Sequence, residues 1–226
     1  MNLLAIDAAC SVLSIAVSRG EEILYSETEA GMKHSELVMD IINTQMEKAG
    51  LKPGDLNGIL CMGGPGSFTG LRIGFSIAKG LALSLSIPFV PVPTLDCIAY
   101  SAAAGLVIPV IQARKDAFFF TLFRDGSRIM EDADGTVNQI VNVIREKTSE
   151  KEKIIITGPA AQLLYNALPD EQRISCECSC KNMGYARELI YIAQSKNLFY
   201  NDNTVFLYSG PEYIRKTDAE INLLRN

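Results

Sequence analysis

Apolar and polar positions follow two different periods along this chain. Leu3–Asp7, Val12–Val17 and Glu22–Thr28 are short apolar-rich runs, with Ser18-Arg19-Gly20-Glu21 as a turn, and they predict three strands. From Lys33 to Ala49 the period changes. Leu37, Val38, Ile41, Ile42, Met46 and Ala49 recur at helical spacing, and Gly50 stops the pattern. Gly58–Met62 predicts a buried strand, Leu71–Ser86 a helix, Phe89–Val92 a strand and Leu95–Ala104 a helix. Between the second pair of elements, residues 63–70 carry four glycines and a proline, which continue neither a strand nor a helix and predict a loop. The order is βββαβαβα.

The second half predicts the same order. Val107–Gln112, Ala117–Phe123 and Ser127–Glu131 read as strands around turns at Arg114-Lys115-Asp116 and Asp125-Gly126. Val137–Lys147 reads as a helix, Lys153–Thr157 as a strand, Ala160–Leu168 as a helix, Ile174–Cys180 as a strand and Tyr185–Asn197 as a helix, with a tail from Phe199. Two copies of this unit describe the duplicated α/β fold of the actin, hexokinase and Hsp70 class (the actin-like ATPase, or ASKHA, fold). The expected halves are residues 1–104 and 105–226, with the last segment free to pack back on the first. In that class, ligands bind between the halves, and the first hairpin of each half clamps nucleotide phosphates. Such a clamp needs a carboxylate to organise a metal, and small residues that offer N–H and hydroxyl groups. Here the first hairpin reads Asp7-Ala8-Ala9-Cys10-Ser11, and the second has Gln112 where a carboxylate would stand, followed by Ala113-Arg114-Lys115-Asp116. Neither makes a strong Mg-ATP clamp, and plain β-turns account for both.

Composition narrows the chemistry. Lys and Arg number 21 against 26 Asp and Glu, a net charge of −5, which argues against a stand-alone nucleic-acid binder. A single His in 226 residues excludes any site built on two imidazoles. The first residues lack a cationic segment and carry Asp7, a poor secretory signal, so the expected setting is cytoplasmic, with the six cysteines reduced and no disulfide framework. The apolar stretch from Ile73 to Val92 is interrupted by Lys79 and Pro88, which fits a buried helix and strand better than a membrane span.

The loop at 63–70 is neither a Walker A loop, since Leu71 follows Gly70, nor a dinucleotide fingerprint. It can act as an anion site at a helix N-terminus or as a tight strand-to-helix turn, and spacing favours the turn. The helix behind it has only a narrow polar stripe of Arg72, Ser76 and Lys79. Its apolar arc exceeds the roughly 100° that a surface helix needs, so it is either sandwiched in the fold or set against another chain. Gly74, Ala78, Gly80 and Ala82 would permit close helix approach.

These residues resemble the TsaB (YeaZ) family. The resemblance is carried by Leu4-Ala5-Ile6-Asp7 with Leu13–Val17, by His34-Ser35-Glu36, and above all by Gly64-Pro65-Gly66-Ser67-Phe68-Thr69-Gly70-Leu71-Arg72-Ile73-Gly74 with Ala78–Ala82. Ala113-Arg114-Lys115-Asp116 looks like the family's second hairpin. Pro211-Glu212-Tyr213-Ile214-Arg215, followed by Ala219-Glu220, is similar to its C-terminal signature. The resemblance implies an actin-like fold and a role in forming threonylcarbamoyladenosine beside the tRNA anticodon. It further implies a non-catalytic partner of the TsaD-like transferase, working with a TsaE-like ATPase, dimeric when alone and meeting tRNA only through the complex. The isolated chain would bind no nucleotide strongly, and any ADP or ATP would sit at the junction with the TsaD-like partner. Where transferase chains continue into a His-x-x-x-His metal motif, the same register here gives Thr94 and Ile98, so no metal site is expected. The metallopeptidase or nucleotide-hydrolase alternative is disfavoured for that reason. Ala8-Ala9-Cys10 and Gln112 also depart from the family's usual Thr-Ser-Thr-like residues and Asp.

Individual candidates follow. His34, with no Ser or Cys partner motif, reads as a helix-start or interface residue. Cys176, Cys178 and Cys180 would share one strand face, which is no tetrahedral ligand set, and read as small buried side chains. Asp7 is expected to orient its turn, and with Arg114 and Lys115 is a candidate cleft residue. From the family, the helices at 33–49 and 71–86 are expected to form the partner contact, through Leu37, Val38, Ile41, Met46, Leu71, Phe75, Ala78 and Ala82.

Overall fold

The computed structural model describes residues 1–28, 33–102, 105–149, 152–179, 183–199 and 208–214. Strands β1 (Asn2–Asp7), β2 (Leu13–Arg19) and β3 (Glu22–Thr28) form an antiparallel meander. Helix α1 (His34–Lys48), β4 (Gly58–Gly64), α2 (Phe68–Leu85), β5 (Phe89–Pro93) and α3 (Thr94–Tyr100) follow. Strand β4 pairs parallel with β1, and β5 parallel with β4, giving the order β3-β2-β1-β4-β5. Alternation along the strands then decides what each face meets. Leu4, Ile6, Ile59, Cys61 and Phe89 pack against α1 and α2, while Leu3, Ala5, Leu60, Met62, Val90 and Val92 belong to the opposite cluster, with α3. Both faces are covered, which is why β1 and β4 read as nearly unbroken apolar runs.

The second sheet repeats the plan. Its elements are β6 (Leu106–Arg114), β7 (Ala117–Phe120), β8 (Phe123–Arg124), β9 (Ser127–Arg128), β10 (Ala133–Thr136), α4 (Val137–Lys147), β11 (Ile154–Thr157), α5 (Ala161–Ala167), α6 (Asp170–Arg173), β12 (Cys176–Ser179) and α7 (Ala186–Ser195). The order β10-β7-β6-β11-β12 has two antiparallel and then two parallel pairings, as in the first sheet. One core of this half lies between the sheet and helices α4 and α5, around Phe118, Phe120, Ile140, Ile144 and Leu164.

Three expectations are corrected. The run Ala117–Phe123 divides into β7 and β8, and Ser127–Glu131 supplies only the two-residue β9. Asp125 and Gly126, both at positive φ, close a small β8–β9 hairpin on the edge of β6, leaving Ala133–Thr136 as the third strand of the sheet. Ala-Asp-Gly-Thr is a weak strand former and is held by its pairing with β7. Finally, α2 begins three residues early, because Ser67 caps it: its Oγ accepts from the Gly70 N–H at 3.2 Å.

Helix α7 is the joint between the halves. It follows the second sheet in sequence but packs on β1, β2 and β4 of the first, and on α3. Tyr185, Leu189 and Ile190 are fully buried there.

Candidate functional site

The first hairpin shows how α7 is held. The side chain of Asp7 is fully buried at the end of β1. Its Oδ1 accepts from the Ala9 N–H at 3.1 Å; its Oδ2 accepts from the Tyr185 N–H at 2.8 Å and from the Ser14 hydroxyl at 3.4 Å. Ser14 Oγ also accepts from the Ala186 N–H at 3.1 Å. Tyr185 is the cap position of α7 and provides no side-chain cap of its own. Asp7 and Ser14 therefore cap this helix from another sheet, with the carboxylate at the positive end of the helix dipole. Asp7 does orient its own turn, through Ala9, but it does not line the cleft.

Burial outweighs these hydrogen bonds and pushes the Asp7 carboxyl up from 3.8 to about 6. The folded chain thus holds this proton more tightly than the unfolded chain. The stabilisation is fully present below the ordinary carboxylate range and is lost as pH rises through about 6, to the extent of ~3 kcal/mol. Urea unfolding of wild type and Asp7→Asn near pH 4 and near pH 7 checks this. The stability difference between them should move in favour of wild type at the lower pH, and an unchanged difference would show that Asp7 does not titrate in that window.

Between the halves lies a cavity of about 970 Å³. Cys10, Ser11, His34 and the loop 65–70 form one wall; Ile111, Gln112, Phe119 and Leu163 contribute to the other; Glu212 and Tyr213 close one end. No Lys or Arg lines it among the described residues. Arg114 and Lys115 are exposed at the β6–β7 turn and do not reach the lining. All three candidate cleft residues, Asp7, Arg114 and Lys115, are thus corrected: one is spent on α7 and two point to solvent. At the two hairpin positions of the actin-like clamp, the Asp7 carboxylate is fully engaged and Gln112 carries an amide. Among the described residues no group of three metal-ligating side chains clusters anywhere.

Thr94 and Ile98, the positions that the resemblance sets against metal-binding imidazoles, lie one turn apart on α3, and both are fully buried. Thr94 Oγ1 accepts from the Gly64 N–H at 3.2 Å. Ile98 packs beneath Gly158, its Cγ2 3.0 Å from where a β-carbon there would lie. Both side chains knit the junction together. His34 begins α1, is buried beside the first hairpin, and has its pKa lowered by that burial.

The glycine-rich loop is a strand-to-helix turn and also a seam. Three of its N–H groups are taken: Gly64 by Thr94, Ser67 by the Ala9 carbonyl at 2.7 Å, and Gly70 by Ser67. Gly64, at φ +111°, accommodates the C-terminal segment, for a β-carbon there would fall 2.3 Å from the Glu212 carbonyl oxygen. A β-carbon on Gly70 would fall 1.9 Å from the Ala8 carbonyl oxygen. The segment 208–214 lies along the same seam. Glu212 N–H donates to the Gly63 carbonyl at 2.7 Å, the Phe68 and Tyr213 rings stand 4.6 Å apart, Arg72 Nε donates to the Tyr213 hydroxyl at 3.2 Å, and Lys79 Nζ donates to the Ser209 carbonyl. The glycine-rich motif and the C-terminal signature are therefore in contact, Arg72 and Tyr213 being 141 positions apart. Arg215, Ala219 and Glu220 lie outside the described residues.

The α1–α2 pair requires the largest correction. Val38, Met46, Leu71, Phe75, Ala78 and Ala82 are buried in the chain's own core, and only Leu37 and Ile41 of the expected contact residues remain partly accessible. The apolar stripe that marked these positions faces the sheet. The outward side instead carries a groove of about 550 Å³ lined by Ser35, Met39, Arg72, Ile73, Ser76 and Ile77, with Phe68 and Thr69 at one end. The cysteine reading also changes. Cys10, Cys61, Cys97 and Cys176 are buried free thiols, but Cys178 is disulfide-bonded and half-buried, against the expectation of reduced thiols and of one buried face; Cys180 lies outside the described residues.

The duplicated sheets and their shared junction are those of the actin-like ATPase fold, here with no clustered metal ligands among the described residues. The sequence model of the family described as "TsaD: tRNA N6-adenosine threonylcarbamoyltransferase" matches residues 22–223, and the chain belongs to that family, in its TsaB (YeaZ) branch. It is similar to the tRNA threonylcarbamoyladenosine biosynthesis protein TsaB of Bacillus subtilis, with 27% identity over 228 residues, 97% of this chain and 96% of that one. It is also similar to the tRNA N6-adenosine threonylcarbamoyltransferase of Prosthecochloris aestuarii, with 26% identity, covering 93% of this chain and 65% of that one. A solved structure from Pseudomonas aeruginosa, described as similar to peptidase YeaZ, shares the fold with a TM-score of 0.77 and 20% identity, over 95% of this chain and 99% of that one. Among the described residues no helix is long and apolar enough to cross a membrane.

Proposed function

We propose that this chain is a non-catalytic scaffold subunit in the formation of threonylcarbamoyladenosine in tRNA, and that it docks on a TsaD-like transferase through the α1–α2 face. One observation carries the non-catalytic part. Thr94 and Ile98, the positions that the family resemblance sets against the transferase's imidazoles, are both buried and both used in packing. Neither can assemble a metal-polarised reaction centre. Docking is supported by the groove between α1 and α2, where Met39, Ile73 and Ile77 give an apolar centre at the surface. The same face would serve a homodimer when the chain is alone. A TsaE-like ATPase would join the pair, tRNA would be bound through the complex, and any ADP or ATP would lie at the junction of the two subunits.

Reconstitution tests this. Purified chain is mixed with its TsaD-like and TsaE-like partners, tRNA, ATP and threonylcarbamoyl-adenylate, and modified tRNA is counted. Omitting this chain should lower the rate about tenfold or more, a transition-state cost above ~1.4 kcal/mol. The chain alone should turn over no ATP and transfer nothing. Equal rates with and without it would overturn the scaffold role, and activity of the isolated chain would overturn the non-catalytic one.

A further inference from the structure

We propose that Arg72 is the charged anchor of the docking face, seated by the C-terminal segment, and that it receives a carboxylate of the partner; this rests on the docking reading above. Arg72 stands on the first turns of α2 and lines the groove beside Ile73 and Ile77. It is exposed, yet it is held on two sides. Its guanidinium lies over the Phe68 ring, 3.8 Å from the centroid, and its Nε donates to the Tyr213 hydroxyl. Tyr213 in turn packs against Phe68, the two rings tilted by 33°. Holding the guanidinium in this way removes much of the side-chain entropy that an arginine would otherwise lose on binding.

What remains free is its distal edge. With Nε occupied, the two Nη groups present parallel N–H donors, the geometry that matches a carboxylate. Among the described residues no carboxylate takes that place. By contrast Arg124, Arg128, Arg145 and Arg173 are each in an ion pair. A positioned, uncommitted arginine at the edge of an apolar groove is the usual anatomy of an interface, with an apolar centre and a charged rim. The C-terminal segment is then a working part of the docking face, because Tyr213 sets where that charge points.

Calorimetric titration of the full chain with its TsaD-like partner, at low and high salt, tests the assignment. Arg72→Glu should lower affinity about a hundredfold, and Arg72→Lys, which keeps the charge but loses the fork, about tenfold. Tyr213→Phe should cost about threefold and leave the salt dependence in place, whereas Arg72→Gln should flatten it. Thermal melting of each variant checks the fold, and little change is expected because Arg72 is exposed. Wild-type affinity in Arg72→Glu alongside lost binding in Ile77→Asp would overturn this assignment and leave the docking face standing. Wild-type affinity in both would overturn the docking face itself.

Discussion

Gly70→Ala should destabilise the chain by about 3 kcal/mol, a large share of the ~5–15 kcal/mol that separates a domain from its unfolded state. The cause is local and specific. The new methyl group would be centred 1.9 Å from the carbonyl oxygen of Ala8, and neither party can give way. Gly70 sits in the first turn of α2, pinned by its N–H to Ser67, and Ala8 belongs to the turn that Asp7 orients. Separating them would part the seam that joins the first hairpin, α2 and the segment 208–214. The control lies ten residues along the same helix. Gly80 has nothing within 4 Å of its would-be β-carbon, so Gly80→Ala should stabilise the chain by ~0.5–1 kcal/mol through helix propensity alone. Urea unfolding of both variants against wild type measures the pair. Equal shifts would mean that propensity, not close approach, explains the glycine at position 70.

That contrast shows what a sequence conveys. Leu3–Asp7 and Gly58–Met62 were legible as strands because both faces of the first sheet are covered and the apolar run is continuous. Element order carried the duplication, and the topology repeats it pairing by pairing. Gly70 misled in a regular way: a glycine that opens a helix reads as one that breaks it, since the reason for it is a backbone in another element. Asp7 was legible as a turn residue through its bond to Ala9, two positions away, but not as the cap of a helix 178 positions away. The seat of Arg72 on Tyr213, 141 positions apart, was equally hidden. Six of the eight side chains expected at the partner contact turn inward for a related reason. Periodicity marks the apolar stripe of a helix, and in α1 and α2 that stripe is what the sheet consumes, so the residues that stand out in the sequence are the ones a partner cannot touch.

Neighbouring positions on α2 should therefore respond in opposite ways to the same substitution. Ala78 is fully buried in the cluster with Val38, Phe75 and Phe89, whose two rings meet edge to face at 5.5 Å. Ala78→Asp places an unpaired carboxylate there, a cost of several kcal/mol, and the chain should be recovered unfolded or insoluble. Ile77 is half-buried at the groove wall. Ile77→Asp should fold, with a loss of roughly 1 kcal/mol, because its carboxylate can reach water. On docking, that water must leave and an apolar anchor is missing, so affinity for the TsaD-like partner should fall about a hundredfold. Size-exclusion chromatography of the Ile77→Asp chain alone should also show the monomer if the homodimer uses this face. The two measurements separate the roles that one apolar helix mixes in sequence. A folded Ala78→Asp chain would mean that α2 is not packed as described. An Ile77→Asp chain that folds and still binds its partner at wild-type strength would mean that the contact lies on another face, and the exposed edge of α2 would need no partner to explain it.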